Sequence, residues 1–257
     1  MCLIAISWGL HPRYPLALIA NRDEFHARPT APAGPDPGHA DVFGGRDLVQ
    51  GGSWLLVSTR GRLAAVTNVR VGRAAEPAPR SRGALVRDFV SGDESAEAYL
   101  DRLSADAADF GRFNLLAWDG VSLRFASNHP HYATKAVAPG VHAMSNGAFD
   151  AAWPKSTRAT HALSSWLGAT ALGEPDPADL FSALADTTPA PDDVLPDTGV
   201  GIELERALSP PFVRSPTYGT RCSSVVLVAA DAITLIERRF RSDGLSAGET
   251  TLVLDRS

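Results

Sequence analysis

The order of the apolar runs constrains this chain more than any other feature. Runs of strand length occur at Cys2–Trp8, Leu16–Ala20, Trp54–Ser58, Leu63–Thr67, Asn114–Trp118, Val121–Ala126 and Val141–Ser145. Three more lie near the end, at Ser223–Ala229, Ile233–Arg238 and Thr250–Leu254. Many are apolar through consecutive residues, so both faces of these strands are expected to be covered. Helical periodicity falls in blocks between them. Ala84–Val90 is short and amphipathic, and Asp93 is placed to cap a helix to Leu103 with Ala96, Tyr99, Leu100 and Leu103 on one face. Pro154 suits the first turn of a helix to Leu167 with Gly168 as its stop, and Asp176-Pro177 opens a further one with Leu180, Phe181 and Leu184 inward. The order is strands, helices, strands, helices, strands. Alternating βαβ units are missing, which argues against a doubly wound parallel sheet and for an α+β domain of antiparallel sheets with segregated helices. Pro- and Gly-rich stretches at Pro29–Gly38, Ala74–Pro79 and Pro189–Gly201 read as loops, yet strand signals flank all of them. Residues 1–257 therefore read as a single domain.

Composition narrows the function classes. A net charge of −5 supplies no basic field for nucleic acid. No run approaches the roughly 20 apolar residues that span a bilayer, and the apolar N-terminus lacks the basic start of a signal peptide. A cytoplasmic protein with reduced thiols is the expectation. The only cysteines are Cys2 and Cys222, too few for a disulfide framework or a four-cysteine zinc site. His129-Pro130-His131 has no acidic pair nearby, so no metal site is expected. A Cys-x-x-Cys-His haem attachment run, a phosphate loop and a dinucleotide fingerprint are all missing.

Cys2 lies directly behind the initiator methionine, where its small side chain permits removal of Met1. The product carries a thiol and a free α-amine on one residue. An α-amine titrates at about 7.7–8.0, so near neutrality it can act as general base for its own thiol. The simpler role for Cys2 is a small apolar residue opening a strand.

Polar residues collect at the ends of the apolar runs. Asn21-Arg22-Asp23-Glu24 comes after the second run; Arg22 would lower the thiol pKa and Asp23 would hold an α-ammonium. Side chains alternate along a strand, so at least one of the two is expected beyond its regular end. Gly51-Gly52-Ser53-Trp54 suits a hairpin or a close approach to ligand. Asn68 and Asn146 each end a run with an amide that can donate to a developing oxyanion. Arg221, in Tyr218-Gly219-Thr220-Arg221, can anchor a substrate carboxylate or support the site.

Together these pieces resemble the NRDE family, also called the transport and Golgi organisation protein two family. The resemblance rests on Met1-Cys2, Asn21-Arg22-Asp23-Glu24-Phe25 with Arg28-Pro29, Gly51-Gly52-Ser53-Trp54, Ser58-Thr59-Arg60-Gly61, Thr67-Asn68 and Ser81-Arg82-Gly83. It continues through Phe113-Asn114-Leu115, Ser145-Asn146, Trp153-Pro154-Lys155, Tyr218-Gly219-Thr220-Arg221 and Glu237-Arg238. It implies an N-terminal nucleophile hydrolase-like αββα sandwich: two antiparallel sheets face to face with helices outside. By remoter similarity to cysteine acylases of penicillin V and conjugated bile salts, Cys2 would be nucleophile and base. Asp23 would bind its amine, Asn68 and Asn146 would be donors, and Arg221 a supporting cation.

Two functions are expected on these grounds. One is an amidohydrolase that cleaves a non-peptide C–N bond of a small-molecule substrate through an acyl-Cys2 thioester. The other is a non-catalytic carrier of a hydrophobic anionic ligand, with haem the leading candidate because family members are associated with haem trafficking; Arg22, Arg70 or Arg221 would meet its carboxylates. Neither requires a resident cofactor, and haem enters only as bound ligand.

Overall fold

The computed structural model describes residues 2–73, 77–169 and 176–256. Among these residues the strands form two antiparallel sheets. In the first the order is β10 (Gly140–Met144), β1 (Cys2–Trp8), β2 (Leu16–Phe25), β11 (Tyr218–Val228), β12 (Ala232–Phe240) and β13 (Ser246–Asp255). The second runs β3 (Thr30–Asp36), β4 (His39–Asp47), β5 (Leu55–Ser58), β6 (Arg62–Asn68), β7 (Phe113–Trp118), β8 (Leu123–Ser127) and β9 (Ala133–Ala136). Helices α1 (Arg82–Ser91) and α2 (Ala96–Leu103) cover the outer face of the second sheet. Helices α3 (Pro154–Ala169) and α4 (Ala178–Leu184) cover the outer face of the first, and a short α5 (Ile202–Ala207) comes after them.

Strand periodicity sorts the side chains into three apolar layers. Ile4, Ile6, Leu16 and Leu18 of the first sheet meet Leu55, Val57, Leu63 and Leu116 of the second. The alternate residues Leu3, Ala5, Ala17 and Ile19 pack under Leu163, Trp166, Leu180 and Phe181 of α3 and α4. Val42, Leu56, Ala64 and Leu115 pack under Leu85, Phe89 and Leu100 of α1 and α2. Each buried Leu, Ile or Phe contributes roughly 1.5–3 kcal/mol. Central strands covered on both faces explain the unbroken apolar runs, and the order of layers is αββα.

Several local expectations are corrected. Pro29–Gly38 is not a loop throughout: Thr30–Asp36 forms the edge strand β3, where prolines without an N–H are tolerated because one side has no partner. Strand β2 does not stop at Ala20. It runs through Phe25 because β1 pairs it as far as Cys2↔Arg22 and β11 as far as Tyr218↔Phe25. Helix α2 is capped by Ser95, whose hydroxyl accepts from the Ala98 amide, while the Asp93 carboxylate pairs with Arg60 instead. Helix α3 passes through Gly168 to Ala169. Part of the Ala74–Pro79 stretch, residues 74–76, lies outside the described residues. No helix among the described residues is long and apolar enough to cross a membrane.

Candidate active site

Cys2 is the first residue of β1 and stands opposite Arg22 of β2; Cys222 of β11 stands opposite Arg22 on the other side. Residues opposed across antiparallel strands share a face. Cys2, Arg22 and Cys222 therefore continue the face of Ile4, Ile6 and Leu18 that is turned to the second sheet, and Asn21 and Asp23 take the face turned to α3 and α4. The pairing of β1 ends at Cys2, so β2 runs on without its neighbour and both of its faces border the same opening. Arg22, Asp23 and Glu24 all line one cavity with Cys2. The expectation that Arg22 or Asp23 must leave the strand is thereby replaced: both remain in it, on opposite faces.

The cavity has a volume of about 190 Å³, and Trp54, Asn68, Arg80 and Arg82 contribute to its wall. The Arg22 guanidinium lies over the Trp54 ring, 4.4 Å from its centroid, 3.6 Å from the Glu24 carboxylate, and donates to the Thr30 hydroxyl at 3.3 Å. Arg28 makes a two-point contact with Asp47. Gly52 lets the β4–β5 connection lie backbone to backbone against the start of α1. A Cβ there would stand 2.4 Å from the Gly83 carbonyl carbon, and the Ser53 amide donates to the Gly83 carbonyl at 3.2 Å.

Behind Cys2 the site is sealed. Its carbonyl accepts from the Ser145 hydroxyl at 2.9 Å. Asp23, 1% exposed, accepts from the Thr220 hydroxyl at 2.7 Å. Asn146 is fully buried; its Nδ2 donates to the Asn68 carbonyl and to Asn68 Oδ1 at 3.0 and 3.1 Å. The Lys155 ammonium, at the start of α3, is buried and lies 3.5 Å from Asn146 Oδ1. Burial pushes the Cys2 thiol and the Asp23 carboxyl up and the Lys155 ammonium down. Opposing charges counter these shifts: Lys155 acts on Asp23, Asp23 on Lys155, and Arg22 favours the Cys2 thiolate.

The structure thus brings Cys2, Arg22, Asp23, Glu24, Gly52, Trp54 and Asn68 to one cavity wall, with Asn146 directly behind Asn68. Three other candidates lie elsewhere. Asn21 faces the helix layer, where its Nδ2 donates to the Leu184 and Pro211 carbonyls and its Oδ1 accepts from Ser223. Arg70 is buried against Glu205 and bonded to the Thr198 hydroxyl. Arg221 is the extra residue of a β-bulge between Thr220 and Cys222; its guanidinium donates to the Phe25, His26 and Arg28 carbonyls and so braces the turn after β2. Conversely, Lys155, Ser145 and Thr220 belong to the site although sequence reasoning did not nominate them. All three stand in stretches that carry the family resemblance, and Lys155 is also one of two lysines in the chain, placed at a helix start. Among the described residues no group of three or more His, Cys, Asp or Glu could hold a metal ion.

Comparison with known proteins agrees with this architecture. A solved N-acylethanolamine-hydrolyzing acid amidase ortholog from Caenorhabditis elegans superposes with a TM-score of 0.52 over 98% of this chain and 100% of its own, at 11% identity. That likeness is one of fold, and the fold is that of the N-terminal nucleophile hydrolases. The Transport and Golgi organization protein 2 homolog of Bos taurus is 34% identical over 272 residues, covering 98% of this chain and 97% of its own. The Homo sapiens homolog is 31% identical over 271 residues, with 97% of each chain covered. With the family model for Transport and Golgi organisation 2 matching residues 1–242, the chain belongs to that family.

Proposed function

We propose that this protein is a cysteine amidohydrolase that cleaves a non-peptide C–N bond through an acyl-Cys2 thioester. The observation that carries the proposal is the convergence of Cys2, Asp23 and Asn68 on one cavity at the end of the first strand. The fold neighbour's activity on an N-acyl amide makes that substrate class the first to try.

The mechanism begins with removal of Met1, which frees the Cys2 α-amine. Burial keeps the resting thiol protonated, so it needs a base. The neutral α-amine takes the thiol proton, and the sulfur attacks the amide carbonyl carbon as the C=O pair moves to oxygen. Asn68 donates to that oxyanion. When the tetrahedral intermediate collapses, the leaving nitrogen takes the proton from the α-ammonium and departs as amine. Water, deprotonated by the same α-amine, then attacks the thioester, releasing the acid and restoring the thiol. Asp23 stabilises the α-ammonium, and Arg22 stabilises the thiolate.

The carrier reading uses the same cations but fits the wall less well. Its apolar side chains are few, chiefly Trp54 and Val66, and Cys2 is the one wall residue among the described ones of a type that commonly ligates haem iron. A panel of N-acyl amides, with amine release measured by mass spectrometry, tests the proposal. Release by the parent protein and none by Cys2→Ala is expected. Saturable haem binding with no amine release from any substrate would favour the carrier instead.

A further inference from the structure

Lys155 is buried and stands outside the wall of the Cys2 cavity; it borders only a small space of about 10 Å³ beside Arg70, Trp153 and Glu205. Its neighbours explain what such a costly group does there. An isolated buried ammonium is strongly disfavoured, so its charge must be compensated. The carboxylates of Asp23 and Glu205 favour the charge, and the Arg70 guanidinium opposes it. Its contact with an uncharged partner, 3.5 Å from Asn146 Oδ1, is long for a hydrogen bond, but a full charge at that range still orients an amide dipole.

Donor and acceptor chemistry sets the direction of the two amides. An ammonium only donates, and a backbone carbonyl only accepts. Asn146 lies between the Lys155 ammonium and the Asn68 carbonyl, so its Oδ1 must face the lysine and its Nδ2 must face Asn68. The same Nδ2 reaches Asn68 Oδ1 at 3.1 Å, which forces that oxygen inward. The Asn68 NH2 is the group left over, and Asn68 lines the cavity with Cys2 whereas Asn146 does not.

We infer that Lys155 is a positioning residue that orients Asn146 and, through it, turns the Asn68 NH2 toward the cavity as the oxyanion donor. Asn146 acts as the link in this relay and not as a second donor. The inference rests on the amidohydrolase reading for its consequence, though the orientation of the two amides can be measured apart from it.

The test separates two reactions of Cys2 in protein from which Met1 has been removed. Acylation by p-nitrophenyl acetate passes through an oxyanion; alkylation by iodoacetamide does not. Both rates are read at Cys2 by peptide mass spectrometry, and their ratio cancels changes in thiolate fraction. Asn68→Ala is expected to lower the acylation-to-alkylation ratio by on the order of 10²-fold, and Lys155→Met by about tenfold or more. The double variant should fall no further than Asn68→Ala alone, because the lysine acts through that amide. An unchanged ratio in Lys155→Met, or effects that multiply in the double variant, would overturn the relay. If Lys155→Met does not fold, Asn146→Leu breaks the same chain at its middle and carries the same expectations. Should the parent Cys2 alkylate but not acylate, the amidohydrolase reading fails, and the relay is judged by NMR alone. The Asn68 and Asn146 side-chain NH2 signals must then shift in Lys155→Met, or in Asn146→Leu the Asn68 signal must, and unshifted signals sink it.

Discussion

Two groups of charges flank Cys2, and they differ in how far water reaches them. Toward the cavity stand Glu24, Arg28 and Asp47, with the Arg28 side chain 28% exposed. Behind the strand stand Lys155, Arg70 and Glu205, with the Glu205 side chain 2% exposed, and the buried Asp23 links them to the cavity wall. Charges at the opening keep part of their hydration, so their mutual pairing is worth less than that of a fully buried pair and a substrate can exchange for it. The sealed charges have given up hydration and persist only because each has an opposite partner. The first group suits binding; the second holds the site's geometry and protonation. Arg22 belongs between them: it is buried, but it is turned to the cavity over Trp54.

The largest expected effect falls on Cys2 itself, which belongs to neither group. Cys2→Ala should lower amide hydrolysis by about 10³-fold or more. Its thermal midpoint should move little, since the thiol is not a core contact. Residual hydrolysis close to the parent's would shift the chemistry onto the charges. Next comes the sealed group. Glu205→Leu leaves the Arg70 guanidinium buried without its carboxylate and should cost about 3–5 kcal/mol in denaturant unfolding. A cost as small as that of an exposed pair would erase the difference between the two groups. For Arg22 the readout is the pH dependence of Cys2 alkylation. The guanidinium favours the thiolate, so Arg22→Gln should move the midpoint up by roughly one pH unit and slow alkylation at neutral pH. A downward move would show that Arg22 does not act on the thiol. The smallest effect is expected for Arg28→Gln, within about 1 kcal/mol of the parent and diminished further by salt.

The same division decides how much could be read from the amino acids. Ten apolar runs became strands, the unbroken ones being those buried on both faces, such as β1, β5, β6 and β7; Asp176-Pro177 and Pro154 marked helix starts because their local chemistry is self-sufficient. Strands β3, β4 and β9 left no apolar run to read: β3 carries prolines, β4 mixes glycines and charged residues with few apolar ones, and all four residues of β9 are exposed. The polar extension of β2 was missed for a different reason. Asn21 to Glu24 stay in the strand through pairing with residues roughly 200 positions away in β11, which no local pattern records. Residue types named Cys2, Asp23 and Asn68 as candidates, and the pairing of β1 with β2 together with the packing of the two sheets brought them to one cavity. The register also sent Asn21 to the sealed side and Arg221 to the bulge, while the Glu205 pairing holds Arg70 there and the packing of α3 on the first sheet brings in Lys155. The face on which a polar side chain lands depends on tertiary pairing, so these assignments needed the structure.

The central claim is that Cys2 becomes the N-terminal residue and carries the acyl group. Intact-mass and N-terminal peptide analysis tests it most directly, on protein quenched in acid shortly after mixing with a hydrolysable N-acyl amide. The expected species is a chain lacking Met1 with one acyl group on Cys2, lost on longer incubation as water completes the turnover. Met1 retained on the folded protein, leaving the Cys2 nitrogen as an amide that cannot serve as base, would contradict it.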